Sequence, residues 1–333
     1  MKAIVCPRYG SPDVLQFKEI ERPVPKDDEA LVRVHASSLN AADFENMRGV
    51  FVVRMVAPLR PAHSILGSDI AGRIEAVGRD VKQFQPGDEV WADLSVCGFG
   101  AFAEYVSVPE NALLPKPSSM TFEEAATYPQ AAALALQNLR GSGPSSPSPL
   151  LLDKGPIQPG QKVLINGAGG GVGTFAVQLA RYFGAEVTGV DSARKLDMLR
   201  SIGADHVIDY TEEDFTKTGR RYDLILDVVA SRTVFAYQRA LNPEGVCVYV
   251  GGSTGAIFSA LLLGPLISRS EGKKMGVVMG KPNDREDMVL LQELFEAGKV
   301  VPVIDRSYPL SEVPEAIRYL EAGRSLGKVV ITM

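Results

Sequence analysis

The segment Val163-Leu164-Ile165-Asn166-Gly167-Ala168-Gly169-Gly170-Gly171-Val172-Gly173-Thr174 constrains the fold of this chain more than any other stretch. A short apolar run reads as a buried strand, a glycine-dense turn follows, and a periodic apolar segment then reads as a helix. Glycines at such a turn let the backbone fold tightly and approach an anion closely. The helix that opens near Gly171 offers unpaired N–H groups and the positive end of its dipole to the same anion. A second predicted strand ends at Asp191, where an acid suits a ribose hydroxyl. Strand, turn, helix, strand and acid together point to dinucleotide binding by Gly167, Gly170, Gly171, Val172 and Gly173.

A chain of 333 residues is too long for one ordinary core, so two domains are expected. The net charge of -5 argues against nonspecific nucleic-acid binding. Cys6, Cys97 and Cys247 are far apart and include no C-x-x-C pair, which fits a reducing compartment. The apolar stretch 255–267 is shorter than the roughly 20 residues that span a bilayer, so no membrane partner is expected. The opening Met1-Lys2-Ala3-Ile4-Val5 reads as a strand rather than a signal peptide, and the expected location is cytoplasmic.

The first 120 or so residues alternate apolar and polar positions, as in Ala30-Leu31-Val32-Arg33-Val34 and Gly72-Arg73-Ile74-Glu75-Ala76, and punctuate them with turns such as Pro86-Gly87-Asp88. This predicts a compact β-rich domain. Thr121-Phe122-Glu123-Glu124 looks like a helix cap with acids in the first turn, and the helix is expected to run on to Leu139. The Gly/Ser/Pro tract at 141–149 reads as a surface loop. From Gln161 strands are predicted at 162–166, 186–190, 206–208, 223–228 and 245–250, with helices at 174–183 and 192–202 between them. Such alternation implies a parallel sheet covered on both faces. Strands return at 301–304 and 328–332, so the tail is expected to rejoin the first domain.

Several stretches in order resemble the medium-chain dehydrogenase/reductase superfamily, in its zinc-free quinone oxidoreductase branch. They are Ser38-Leu39-Asn40-Ala41-Ala42-Asp43, Leu66-Gly67-Ser68-Asp69-Ile70-Ala71-Gly72, Pro86-Gly87-Asp88-Glu89-Val90, Gly100-Ala101-Phe102-Ala103-Glu104-Tyr105, the glycine turn, Gly203-Ala204-Asp205-His206-Val207-Ile208-Asp209-Tyr210, and Gly327-Lys328-Val329-Val330. The resemblance implies an α/β protein of two domains: a GroES-like β-rich catalytic domain from 1–123 and 298–333, and a Rossmann doubly wound parallel sheet over 124–297. It also implies a homodimer or homotetramer.

The zinc-dependent members carry Cys where this chain has Asn40, His and Glu where it has Ser68 and Asp69, and a further Cys near 128–131, where none stands here. Amide and hydroxyl are poor zinc ligands, so no metal is expected. His35 and His63 are isolated and read as surface or hydrogen-bonding residues. Without a Lewis acid, reduction of a saturated carbonyl loses its main assistance. Conjugate reduction of an enone or quinone needs less, because the developing charge spreads over an enolate that a few donors can stabilise.

The expected activity is therefore metal-independent hydride transfer from NADPH to a quinone or α,β-unsaturated carbonyl. The alternatives are a reductase or dehydrogenase of saturated aldehydes, ketones or alcohols, and a non-catalytic NADPH-binding regulatory protein. Asn40, Asp43 and Tyr128 are the catalytic candidates. Relatives often carry a tyrosine just after the Asn-x-x-Asp segment, where this chain has Phe44 and Phe51. By resemblance, Gly251 and Gly252 border the nicotinamide and Lys328 belongs to the cofactor set. Cofactor choice is contested: Asp191 favours NAD(H), whereas Ser192, Arg194, Lys195 and Tyr210 suit a 2′-phosphate, Lys195 and Tyr210 by position in the family. The balance favours NADP(H), with NAD(H) as the alternative.

Overall fold

The computed structural model describes residues 1–140, 156–277 and 280–333. The 141–149 tract, expected as a loop, lies outside the described residues. The chain divides into two compact units. The first comprises Met1–Ala131, Pro282–Glu293 and Pro302–Met333; the second comprises Ala132–Lys281 and Leu294–Val301. The segment 282–293 groups with the first unit. Its attachment is specific: Asn283 Oδ1 accepts the Asp93 N–H at 2.7 Å, Asn283 Nδ2 donates to the Asp93 carbonyl at 2.8 Å, and Arg285 donates to Gln83 Oε1 at 2.6 Å.

In the first unit a seven-stranded sheet is built on Glu29–Ser38, which is flanked by Lys328–Thr332 on one side and Asp69–Val77 on the other. Asp69–Val77 pairs onward with Glu89–Asp93, and Ile304–Pro309 lies parallel to Lys328–Thr332. The alternation read in the sequence sends Val32 and Val34 into the core and leaves Arg33 exposed. The register sets Ser38 opposite both Asp69 and Val330, and Asp69 opposite Asp93. Lys328 stands two residues before Val330, hence on the same face of its strand. Four strands thus bring one polar row together in the interior.

Thr121 does cap a helix, accepting the Glu124 N–H at 3.1 Å while Glu124 reaches back to the Thr121 N–H at 2.9 Å. That helix spans only Phe122–Ala125, and a second begins at Ala131. Pro129 lies in the interruption, where it lacks an N–H and disfavours helical geometry at Tyr128 before it.

In the second unit six strands run parallel, in the spatial order His206–Asp209, Glu186–Asp191, Lys162–Asn166, Tyr222–Asp227, Leu241–Tyr249, Lys274–Gly276. This is the doubly wound order, whose direction reverses between Lys162–Asn166 and Tyr222–Asp227. Helix Gly171–Tyr182 buries Phe175, Ala176, Val177, Leu179 and Ala180. The strand expected at 301–304 forms later, at Ile304–Pro309. Val301 is held instead by Gln178, whose amide donates to its carbonyl at 2.8 Å and accepts its N–H at 2.9 Å. Its backbone is satisfied without a strand partner. Among the described residues no helix is long and apolar enough to cross a membrane.

Candidate functional site

The glycine turn opens at the carboxyl end of Lys162–Asn166, beside the point where strand order reverses. Such a crevice is where doubly wound sheets bind ligands. Gly167 has φ +80, a left-handed conformation suited to glycine, and the N–H groups of Gly167 and Ala168 both donate to the Val190 carbonyl, at 3.0 and 3.1 Å. A Cβ on Gly173 would collide with the Gly167 carbonyl and the Ala168 backbone. A Cβ on Gly170 would meet only the Gly167 oxygen, at 3.4 Å. Gly173 is therefore required where the helix packs against the turn, while Gly170 leaves room outside the turn. Gly170, Gly171 and Val172 stay half-buried at the helix N-terminus, so the amides remain approachable. These residues fit a dinucleotide pyrophosphate.

Asp191 ends the neighbouring strand, as expected, but is turned inward. Its Oδ2 accepts the Gly169 N–H at 2.8 Å, its Oδ1 accepts the Ser192 N–H at 2.9 Å, and Lys195 Nζ lies 3.3 Å from Oδ1. The two side chains of this ion pair are only 7% and 9% exposed. Gly169 was not singled out from sequence; its role follows from this contact and from the Lys195 stem that lies where a Cβ would stand. Arg194 is exposed, Ser192 half-buried, and Tyr210 52% exposed, with its N–H on the Asp191 carbonyl at 3.2 Å. Gly251 and Gly252 are forced by close backbone approach, for a Cβ on either would strike the chain between Val228 and Ala230.

The first unit holds a second constellation. Asn40 precedes helix Ala41–Arg48, and its N–H donates to Asp43 Oδ2 at 2.8 Å. The Asn40 carboxamide donates to Ser68 Oγ at 3.1 Å and to Asp69 Oδ2 at 2.7 Å. Its oxygen accepts from Lys328 Nζ at 2.7 Å. Lys328 also donates to the Leu39 carbonyl at 3.1 Å and lies 3.6 Å from Asp69 Oδ2. Ser38 Oγ donates to the same Asp69 oxygen at 2.8 Å, and the Gln130 N–H donates to Asp69 Oδ1 at 3.0 Å. All of these side chains but that of Gln130, which is half-buried, are nearly or wholly out of solvent.

Burial dominates the proton affinities here. It lifts the Asp43 carboxyl from the ordinary 3.8 to about 7, against the hydrogen bond from the Asn40 backbone and with help from Asp69. Burial also raises Asp69, opposed by the Lys328 ammonium, and it raises Asp93. Lys328 is lowered by burial, while Asp69 and Asp43 push it back up. Asn40 and Asp43 thus come together as expected from sequence. Ser68, Asp69 and Lys328 join them, and only Lys328 had been assigned a role, as a cofactor contact. Its ammonium is committed to Leu39, Asn40 and Asp69.

Tyr128, the third residue expected to be catalytic, stands two positions before Gln130, whose N–H donates to Asp69. Its ring is wholly buried, 5.9 Å from that of Trp91, and burial pushes its phenol far above the usual value. Phe51 is 65% exposed and Phe44 packs against a core cluster that includes Met47; neither ring carries a hydroxyl. Neutral Asn40 and Ser68, with an ammonium beside Asp69, do not fit a zinc ion, which needs anionic or imidazole donors and would be repelled by Lys328.

Residues 26–118 match the family described as alcohol dehydrogenase GroES-like domain, and residues 202–331 match the one described as zinc-binding dehydrogenase. The chain is 34% identical to 2-methylene-furan-3-one reductase of Solanum lycopersicum, over 99% of this chain and 79% of that protein. It is 32% identical to the chloroplastic NADPH-dependent alkenal/one oxidoreductase of Arabidopsis thaliana, over 99% of this chain and 79% of that one. Among solved structures, the quinone oxidoreductase from Coxiella burnetii superposes with a TM-score of 0.87 at 28% identity, covering 100% of this chain and 99% of the other. Taken with the glycine cradle and the metal-unfit polar row, these likenesses make the chain a member of the medium-chain dehydrogenase/reductase family, in its quinone oxidoreductase branch.

Proposed function

We propose that this protein is a metal-independent reductase that uses NADPH to reduce quinones or α,β-unsaturated carbonyls. The observation that carries the reading is the glycine cradle at the reversal point of the sheet, in a chain whose relatives along its whole length are named as reductases of alkenals, enones and quinones. The bound dinucleotide would supply the hydride. The N–H groups at the start of helix Gly171–Tyr182 would hold its pyrophosphate. Lys195, Arg194 and Tyr210 gather near Asp191 and would hold the adenosine ribose and its 2′-phosphate, Lys195 offsetting the charge with which Asp191 would repel that phosphate.

At the substrate end Asn40 gives its two amide hydrogens to Ser68 and Asp69 and keeps a lone pair on its carbonyl oxygen, so it can accept a hydrogen bond from an N–H or O–H of a ligand. The proton that completes reduction comes from solvent or from a neighbouring acid. We further propose a cytosolic enzyme acting on a small-molecule substrate, consistent with three free cysteines, and assembly as a homodimer or homotetramer. Exposed Phe258, Leu262 and Leu266, spaced four residues apart on helix Thr254–Glu271, suit such a contact.

The test is oxidation of NADPH, and of NADH in parallel, with a quinone, an enone and a saturated ketone, each with and without chelator. Chelator-insensitive turnover of quinone or enone, with the ketone untouched, is expected. Chelator-sensitive ketone reduction would overturn the proposal, and binding of NADPH without any turnover would favour a regulatory role.

A further inference from the structure

We propose that Lys328 is a positioning residue for catalysis: its buried ammonium holds the Asn40 carboxamide in one orientation and neutralises Asp69. The inference rests on the reading that Asn40 meets the substrate. The two ends of an amide have nearly the same shape, and only their partners tell them apart. An ammonium can only donate, so the atom 2.7 Å from Lys328 Nζ must be the Asn40 oxygen. An ionised carboxylate can only accept, so the atom 2.7 Å from Asp69 Oδ2 must be the nitrogen. Lys328 and Asp69 therefore read opposite ends of the same amide, and neither alone would fix it as firmly.

The surroundings of the ammonium explain why it stays charged. Asp69 faces it from strand Asp69–Val77, Asp93 from strand Glu89–Asp93, and Asp43 from helix Ala41–Arg48. Burial acts to deprotonate Lys328, and these three carboxyls oppose it. The Leu39 carbonyl takes another of its hydrogens. With Lys328 removed, Asp69 would be an unpaired buried carboxylate and the Asn40 oxygen would lose its donor.

The experiment compares wild type, K328M and K328M/D69N by melting temperature, by NADPH dissociation constant from equilibrium titration, and by kcat and KM with but-3-en-2-one. K328M should melt well below wild type, and removal of the paired charge in K328M/D69N should restore most of the loss. Turnover should not follow stability: the double variant is expected to stay about a hundredfold down in kcat, with NADPH affinity within about threefold of wild type. Recovery of both melting temperature and kcat would overturn the positioning role and leave Lys328 a counter-ion. If K328M does not fold, K328Q carries the same comparison. In a second cycle, K328M in an N40A background should cost no more than about threefold further in kcat, because Lys328 acts through Asn40. A large further loss would overturn the proposal. Absence of wild-type turnover would sink this inference together with the proposed function, whereas wild-type turnover with a recovered double variant sinks this inference alone.

Discussion

Asp191 Oδ2 accepts the backbone N–H of Gly169 at 2.8 Å, so the acid that ends the second strand of the nucleotide-binding sheet is tied to the phosphate-binding turn itself. With Lys195 on its other oxygen, this carboxylate is partly spent before any ribose arrives. Lys195→Met should weaken NADP+ binding by about 1.5–3 kcal/mol, the worth of a charge-assisted hydrogen bond, and leave NAD+ affinity equal or better. Asp191→Asn keeps an oxygen for Gly169 and frees Lys195, so it should favour NADP+ over NAD+. Calorimetric titration of both variants with both dinucleotides checks this; unchanged preference in either would show that the pair does not set cofactor choice.

Stability should fall as pH rises between about 4 and 7, in part because of Asp43. Its carboxyl releases a proton near 3.8 when the chain is unfolded and near 7 when folded. Within that window the folded state holds the extra proton, so raising pH favours unfolding, by up to about 1.4 kcal/mol per pH unit from this group. Asp43→Asn mimics the protonated form and should flatten that part of the curve. Denaturant midpoints for both proteins at pH 5, 6 and 7 decide the matter; parallel slopes would mean that Asp43 ionises normally.

Tyr128 tests packing against chemistry. Tyr128→Phe should keep turnover within about threefold, because the ring against Trp91 is preserved. Tyr128→Ala should destabilise the protein by about 3–5 kcal/mol, the usual cost of removing a large buried ring. A large loss of kcat in the Phe variant at normal stability would return the phenol to the reaction.

Gly173→Ala places a methyl group against the Gly167 carbonyl and the Ala168 backbone. Neither atom belongs to a flexible side chain, so about 1–3 kcal/mol of stability should be lost and the phosphate-binding turn should shift. Weaker NADPH binding together with a lower melting temperature is expected. Full retention of both would show that the turn has slack which the packing does not reveal.

Much of this molecule was legible along the chain because its signals are local. The glycine turn, the helix after it and the alternating strands depend on residues within about ten positions of each other, and strand–helix alternation implies a parallel sheet, while its doubly wound order was implied by the family resemblance. That Asn40 and Ser68 offer an amide and a hydroxyl, both poor zinc ligands, is likewise a property of the residues themselves. Two expectations failed for different reasons: Pro129, itself a local helix breaker, cuts a helix that the alanines and leucines around it would continue, whereas at Val301 a distant contact, the Gln178 side chain, satisfies the backbone in place of a strand.

The partners of Asn40 and Asp191 were another matter. Lys328 stands 288 positions from Asn40 and meets it because Lys328–Thr332 is laid beside Glu29–Ser38 in one register, with Asp69 in the next strand. Shifting that register by one residue would turn Lys328 to the opposite face. The residue types and their local elements are properties of short stretches of chain. Which charges are buried together, and so which amide is held and which carboxyl keeps its proton, depends on pairing between distant strands and on the loss of water around them.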